Sequence, residues 1–128
     1  MTTHSLGALQ LAIMRVLWRD GEATASRVHQ SLHADRGLAP TTIATMLKKM
    51  EHKGVVEHRA EGRRFIYVPL ITEDQVQRSM VAELKALLFG GKTADLVTHL
   101  LSEHEVDADE LDQLRAVIED REKKGSPQ

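Results

Sequence analysis

The sequence contains no cysteine, which excludes disulfides, thiolate nucleophiles and cysteine-ligated metal centres. Aromatic residues make up only 3%, so a packed interior has to be built from Leu, Val, Ile, Met and Ala. That palette leans towards helices. No apolar run approaches the ~18 residues that span a bilayer. The opening MTTHSLGALQ lacks the basic and long apolar regions of a secretory signal, and a cytoplasmic location is expected. Catalytic signatures are missing too: there is no Gly-rich phosphate loop, no nucleophile elbow and no His-Glu-x-x-His. Acidic residues lie on amphipathic segments, where charge meets solvent, so neither catalysis nor a cofactor is expected.

What is present is a chain of 128 residues, 41% hydrophobic and 28% charged, enough for a packed core with an appended helical arm. The net charge of −2 conceals an asymmetry. Residues 1–70 hold 10 Lys/Arg and 6 Asp/Glu, a balance of +4, whereas residues 71–128 hold 7 and 13, a balance of −6. A basic head joined to an acidic arm suits a binder of polyanions with a separate solvated module.

Periodicity resolves the head. Leu9, Ile13, Val16 and Leu17, with Trp18 beside them, mark a first amphipathic helix that stops at Asp20-Gly21. Thr24 or Ser26 caps a second helix running to about Ala34, with Val28 and Leu32 on its buried side. Pro40 suits the first turn of a third helix, which ends at Gly54. The period then changes. Residues 56–60 and 64–68 read as short strands, with Glu61-Gly62-Arg63 as the turn and Pro69 as the stop. Three helices followed by a hairpin is the order of a winged helix-turn-helix.

On the third helix Ile43, Met46, Leu47 and Met50 share one side at 100° per residue. Thr41, Thr45, Lys48 and His52 take the opposite side, flanked by Thr42 and Lys49. Hydroxyls and ammonium groups backed by a core stripe suit a helix that reads the major groove of double-stranded DNA. Arg63 and Arg64 at the hairpin tip, with Arg59 behind them, suit phosphate or minor-groove contact. Phe65 and Tyr67 read as core residues that pack the small sheet. His29 with His33, and the column Asp95, His99, Glu103, read as solvated faces rather than metal ligands.

Beyond Leu70 the chain reads as helical. Thr72 and Gln75 make a capping-box pair before a helix with Val76, Met80, Leu84, Leu87 and Leu88 on one side. After Phe89-Gly90-Gly91 a shorter helix covers Asp95–Ser102, with Leu96, Val97, Leu100 and Leu101 apolar. Asp107 and Glu110 cap a last helix bearing Leu111, Leu114 and Ile118, and residues 123–128 read as a frayed tail. Such a stretch cannot readily bury these stripes alone, and pairing with a second copy is the economical solution. The expected architecture is mainly α with a small β-hairpin wing. A winged-helix head at 1–70 precedes a C-terminal helical dimerisation arm at 71–122.

These residues resemble the BlaI/MecI/CopY group of penicillinase-type repressors. The likeness begins in LGALQLAIMRVLWRDGEATASRVHQSL, with its Leu-Trp-x-x-Gly turn. It continues through TTIATMLKKMEHKGVVEHRAEGRRFIYVPL and ends in LLFGGKTADLVTHLLSEHEVDADELDQLRAVI, covering about residues 6–120. The resemblance implies a homodimeric repressor on an inverted-repeat (palindromic) operator. Thr41, Thr42, Thr45, Lys48 and Lys49 would then lie in the major groove and Arg63 and Arg64 on the wing. Leu84, Leu88, Leu96, Leu100, Leu111, Leu114 and Ile118 would contribute to the dimer. Copper-responsive members carry a cysteine-rich tail, absent here. β-Lactam-responsive members are cut in the arm by a signalling protease at Asn-Phe, where this chain has His99-Leu100. Two other readings fit a winged helix: a MarR-like regulator switched by a small ligand, and a module for protein–protein contact.

Overall fold

A computed structural model describes residues 5–125 and divides the chain into two compact units, Met1–Glu83 and Leu84–Gln128. The elements run α1 (Ala8–Asp20), β1 (Ala23–Thr24), α2 (Ala25–Arg36), α3 (Pro40–Lys53), β2 (Val56–Glu61), β3 (Arg64–Pro69), α4 (Glu73–Phe89), α5 (Thr93–Glu103) and α6 (Ala108–Gly125). This is the winged helix-turn-helix order expected for the head, followed by helices.

The first unit is organised around one apolar core. α1 supplies Ile13, Met14 and Leu17, α2 supplies Val28, and α3 supplies Ile43, Leu47 and Met50, all fully buried. Burying each of the larger of these side chains stabilises the fold by about 1.5–3 kcal/mol. Val55, Val56 and Tyr67 close the core from the sheet, and Ile71 and Val76 from the chain beyond it. Among the described residues no polar side chain is fully buried.

Local signals set the helix ends. Thr24 caps α2, its hydroxyl accepting from the Arg27 N–H at 3.1 Å, and α2 runs on to Arg36 rather than stopping near Ala34. Pro40 occupies the first turn of α3, where its missing N–H has no intrahelical acceptor to lose. At the other end Gly54 takes φ 84°, a left-handed conformation costly for any residue with a Cβ. The Val55 N–H then returns to the Met50 carbonyl at 3.1 Å. This cap turns the chain directly from α3 into β2.

The sheet has three strands in the order β1-β3-β2, both pairings antiparallel. The sequence predicts only the hairpin. β1 is two residues long, too short to show a period, and it forms because Ala23 and Thr24 find Tyr67 and Ile66 on β3. β3 thereby becomes the central strand, and Ile66 and Tyr67, on its opposite faces, are both buried. Glu61 pairs with Arg64, so the hairpin loop is Gly62-Arg63. Gly62, at φ 64°, takes the first loop position, where a turn matched to the strand twist needs positive φ.

α4 opens on the expected capping box: the Thr72 N–H donates to Gln75 Oε1 at 2.9 Å, and the Gln75 N–H to Thr72 Oγ1 at 3.0 Å. Its first half belongs to the head. Val76 is buried in the core and Met80 packs against it, so the first unit ends at Glu83 and not at residue 70.

The second unit comprises the last turns of α4 with α5 and α6. α5 spans Thr93–Glu103, longer at both ends than the Asp95–Ser102 read from the sequence. α6 opens with the Asp107 carboxylate accepting from the Glu110 N–H at 2.8 Å. It continues through Gly125, with Lys124 paired to Asp120 at 3.2 Å, so residues 123–125 are helical rather than a frayed tail. Residues 126–128 lie outside the described residues. No side chain of α5 or α6 is fully buried. Leu96, Leu111 and Leu114 are half-buried, while Leu84, Leu88, Leu100 and Ile118 are exposed, as are Leu87, Leu101 and Val117. No helix among the described residues is long and apolar enough to cross a membrane.

Candidate nucleic-acid interface

α3 separates its two sides as its periodicity requires. Ile43, Leu47 and Met50 are buried and Met46 is half-buried, whereas Thr41, Thr42, Thr45, Lys48, Lys49 and His52 are all exposed. The core stripe holds the helix against α1 and α2, leaving the hydroxyls and ammonium groups in solvent. Arg63 and Arg64 are exposed at the hairpin tip.

An open groove of about 420 Å³ runs between the start of α2, α3 and β3. Thr24, Ala25 and Ser26 form one side, Ala44 and Lys48 another, and Arg64, Phe65 and Tyr67 the third. It brings together Lys48 and Arg64, two of the residues singled out from sequence. Thr42 and Lys49 are exposed on α3 but do not line this groove, and Arg63 stands at the loop. Lys48, Lys49 and Arg63 form no ion pair among the described residues. Among the described residues Arg64 is paired only to the exposed Glu61, at 3.3 Å, a contact of little energetic weight in water.

Arg59 is engaged otherwise. Its guanidinium holds both oxygens of Glu22, at 2.6 and 3.2 Å, and also approaches Glu61 at 3.5 Å. The hydrogen bond from Arg59 lowers the Glu22 carboxyl below its ordinary value, and the same bond raises Arg59.

A second brace joins α3 to the wing. His58 Nδ1 lies 2.8 and 2.7 Å from the two oxygens of Glu51, on the side of α3 that faces the sheet. The imidazole also lies against Phe65, with ring centroids 4.4 Å apart, and near Tyr67 at 5.6 Å. Burial raises the Tyr67 phenol, and the nearby Glu51 charge raises it further.

Phe65 is not a core residue: it is 50% exposed, while Tyr67, two positions along the same face, is buried at 4%. Tyr67 lies beside Ala23 of β1 and joins the core of the head, whereas Phe65 lies beyond the end of the β1 pairing. The sequence missed this exposure, and also missed the brace, because neither Glu51 nor His58 carries a motif. The histidine pair on α2 is absorbed locally: the His29 ring reaches the Leu38 carbonyl at 2.8 Å and sits 5.2 Å from His33. Among the described residues no three His, Asp or Glu side chains converge on a metal-sized site.

A family model described as penicillinase repressor matches residues 6–120. The transcriptional regulator BlaI of Mycobacterium tuberculosis is 33% identical over 120 residues, covering 91% of this chain and 85% of that protein. The penicillinase repressor of Bacillus licheniformis is 26% identical over 111 residues, 87% of each. The solved DNA-binding domain of the repressor BlaI is 30% identical with a TM-score of 0.51, covering 58% of this chain and 93% of that one. Monomeric Bacillus licheniformis BlaI, solved in complex with the blaP half-operator, is 31% identical with a TM-score of 0.50, covering 58% and 90%.

Proposed function

The chain belongs to the penicillinase repressor family, and from that membership we propose that it is a DNA-binding transcriptional repressor of the BlaI/MecI type, acting as a homodimer on an inverted-repeat operator. The observation that carries this reading is the two-sided α3: a buried apolar stripe, and an exposed face of Thr41, Thr45 and Lys48 adjoining a groove with Arg64 on its far wall. Thr41, Thr42 and Thr45 offer hydroxyl donors, acceptors and methyls to base edges; Lys48 and Lys49 reach phosphate or a guanine edge. His52 extends the same face by a turn, and Arg63 and Arg64 serve the adjacent backbone or minor groove.

The arm is the dimerisation element. Its helices bury no side chain fully, and Leu84, Leu88, Leu96, Leu100, Leu111, Leu114 and Ile118 supply apolar surface that a second copy covers. Two linked heads then meet two half-sites spaced by about one helical turn or slightly more. Weak contacts at each half-site gain from effective concentration. A signalling protease acting on the arm belongs to the same reading; α5 there presents His99-Leu100, both exposed. The protein acts in the cytoplasm, where its operator is, and as a regulator rather than a catalyst.

The test is fluorescence anisotropy against the DNA immediately upstream of its own gene, titrated with salt. Tight, sequence-selective binding with a steep salt dependence is expected. Absence of binding at low salt, by protein verified as dimeric in light scattering, would overturn the reading.

A further inference from the structure

We infer that Phe65 is a DNA-contact residue, an apolar plate against which the deoxyribose face of one backbone strand packs as it crosses from α3 to the wing. This rests on the repressor reading and adds a residue that neither charge nor motif singles out.

The placement carries the inference. Phe65 is half-exposed on the wall of the groove between α3, β3 and the start of α2, and that groove is the path from the reading helix to the wing. Cations stand on both sides of it, Lys48 on α3 and Arg64 beside Phe65. A strand of DNA alternates anionic phosphates with apolar sugar faces. A groove with two cations and an aromatic wall complements that alternation, whereas a protein interface core is depleted of lysine.

The ring is also held in place. His58 lies against it at a centroid distance of 4.4 Å, and His58 is itself fastened to Glu51 of α3 at 2.7 and 2.8 Å. Phe65 therefore presents its surface at little further entropic cost on binding. His58 and Glu51 are positioning residues, connecting the reading helix to the plate without touching DNA themselves.

The experiment is salt-titrated anisotropy of full-length wild type and the variants Phe65→Ala, Phe65→Leu and Lys48→Ala, on operator and on unrelated duplex of equal length. Phe65→Ala is expected to weaken binding about tenfold on both duplexes. Its salt slope stays at the wild-type value, because an apolar contact releases no counterions, whereas Lys48→Ala flattens the slope. Phe65→Leu retains most of the affinity and shows that the loss follows apolar area rather than misfolding. Affinity of Phe65→Ala within about twofold of wild type overturns the inference, as does a flattened slope. A loss confined to the operator overturns the backbone assignment, since sugar contacts do not depend on sequence. Failure of wild type itself to bind any DNA overturns instead the repressor reading on which this rests. For the positioning role, the losses in His58→Ala and Phe65→Ala should combine non-additively; additive losses overturn it.

Discussion

Arg59 on the wing grips Glu22, which precedes β1, through two hydrogen bonds of 2.6 and 3.2 Å across a sequence separation of 37. The bond fastens the outer strand of the hairpin to the turn after α1. It also pairs an arginine that stands near Arg63 and Arg64 on the wing.

The pair has a pH signature. The folded Glu22 carboxyl is lowered, chiefly by the hydrogen bond from Arg59, so its contribution to stability is present above the unfolded carboxylate value. It disappears as pH falls through the lowered folded value. Wild type should therefore lose more melting temperature than Glu22→Gln between neutral and acid pH. Parallel losses in the two proteins would remove Glu22 from the account of acid sensitivity. Released from its partner, Arg59 should also steepen the salt dependence of DNA binding in Glu22→Gln.

The proposed roles of Lys48 and Thr45 on α3 predict separable effects. Lys48→Ala should weaken binding on every sequence and reduce the salt slope by about 1. Thr45→Ala should instead change which bases are preferred. Equal loss on all sequences after Thr45→Ala, measured by competition among operator variants, would count against base reading by that threonine.

The arm is testable by one buried charge. Leu100→Asp or Leu114→Asp should give monomers by light scattering, with poor affinity for a two-half-site operator and unchanged affinity for a single half-site. A persistent dimer would sink the interface assignment.

Trp18 links α1 to the segment entering α4: its indole N–H donates to the Ile71 carbonyl at 2.9 Å. Trp18→Phe leaves that partly buried carbonyl without its donor and should destabilise the head by roughly 1–2 kcal/mol in chemical denaturation. The exposed face of α3 does not include this bond, so DNA affinity at temperatures well below unfolding should be preserved.

Within the core, Leu47→Ala removes a fully buried side chain from the middle of α3 and should cost about 2–5 kcal/mol. Denaturant unfolding with an unchanged m-value is the check; a loss below about 1 kcal/mol would mean that the site collapses around the smaller residue.

Much of this protein was legible in the sequence because the responsible interactions are local. Pro40 and Gly54 bracket α3, and Thr72 and Gln75 open α4, through hydrogen bonds or steric limits spanning a few residues. The 3.6-residue period on α3 separated Ile43, Leu47 and Met50 from Thr41, Thr45 and Lys48, and burial divides them the same way. Tertiary structure decided what depends on distant partners. β1 exists only because β3 lies beside it. Phe65 is exposed and Tyr67 buried because Tyr67 joins the core beside Ala23 while Phe65 lies beyond the end of β1, a matter of packing that alternation along a strand does not encode. Arg59 is tied up by Glu22 and Phe65 is held by His58, so the sequence determined which groups are available, and the fold determined which of them are free to act.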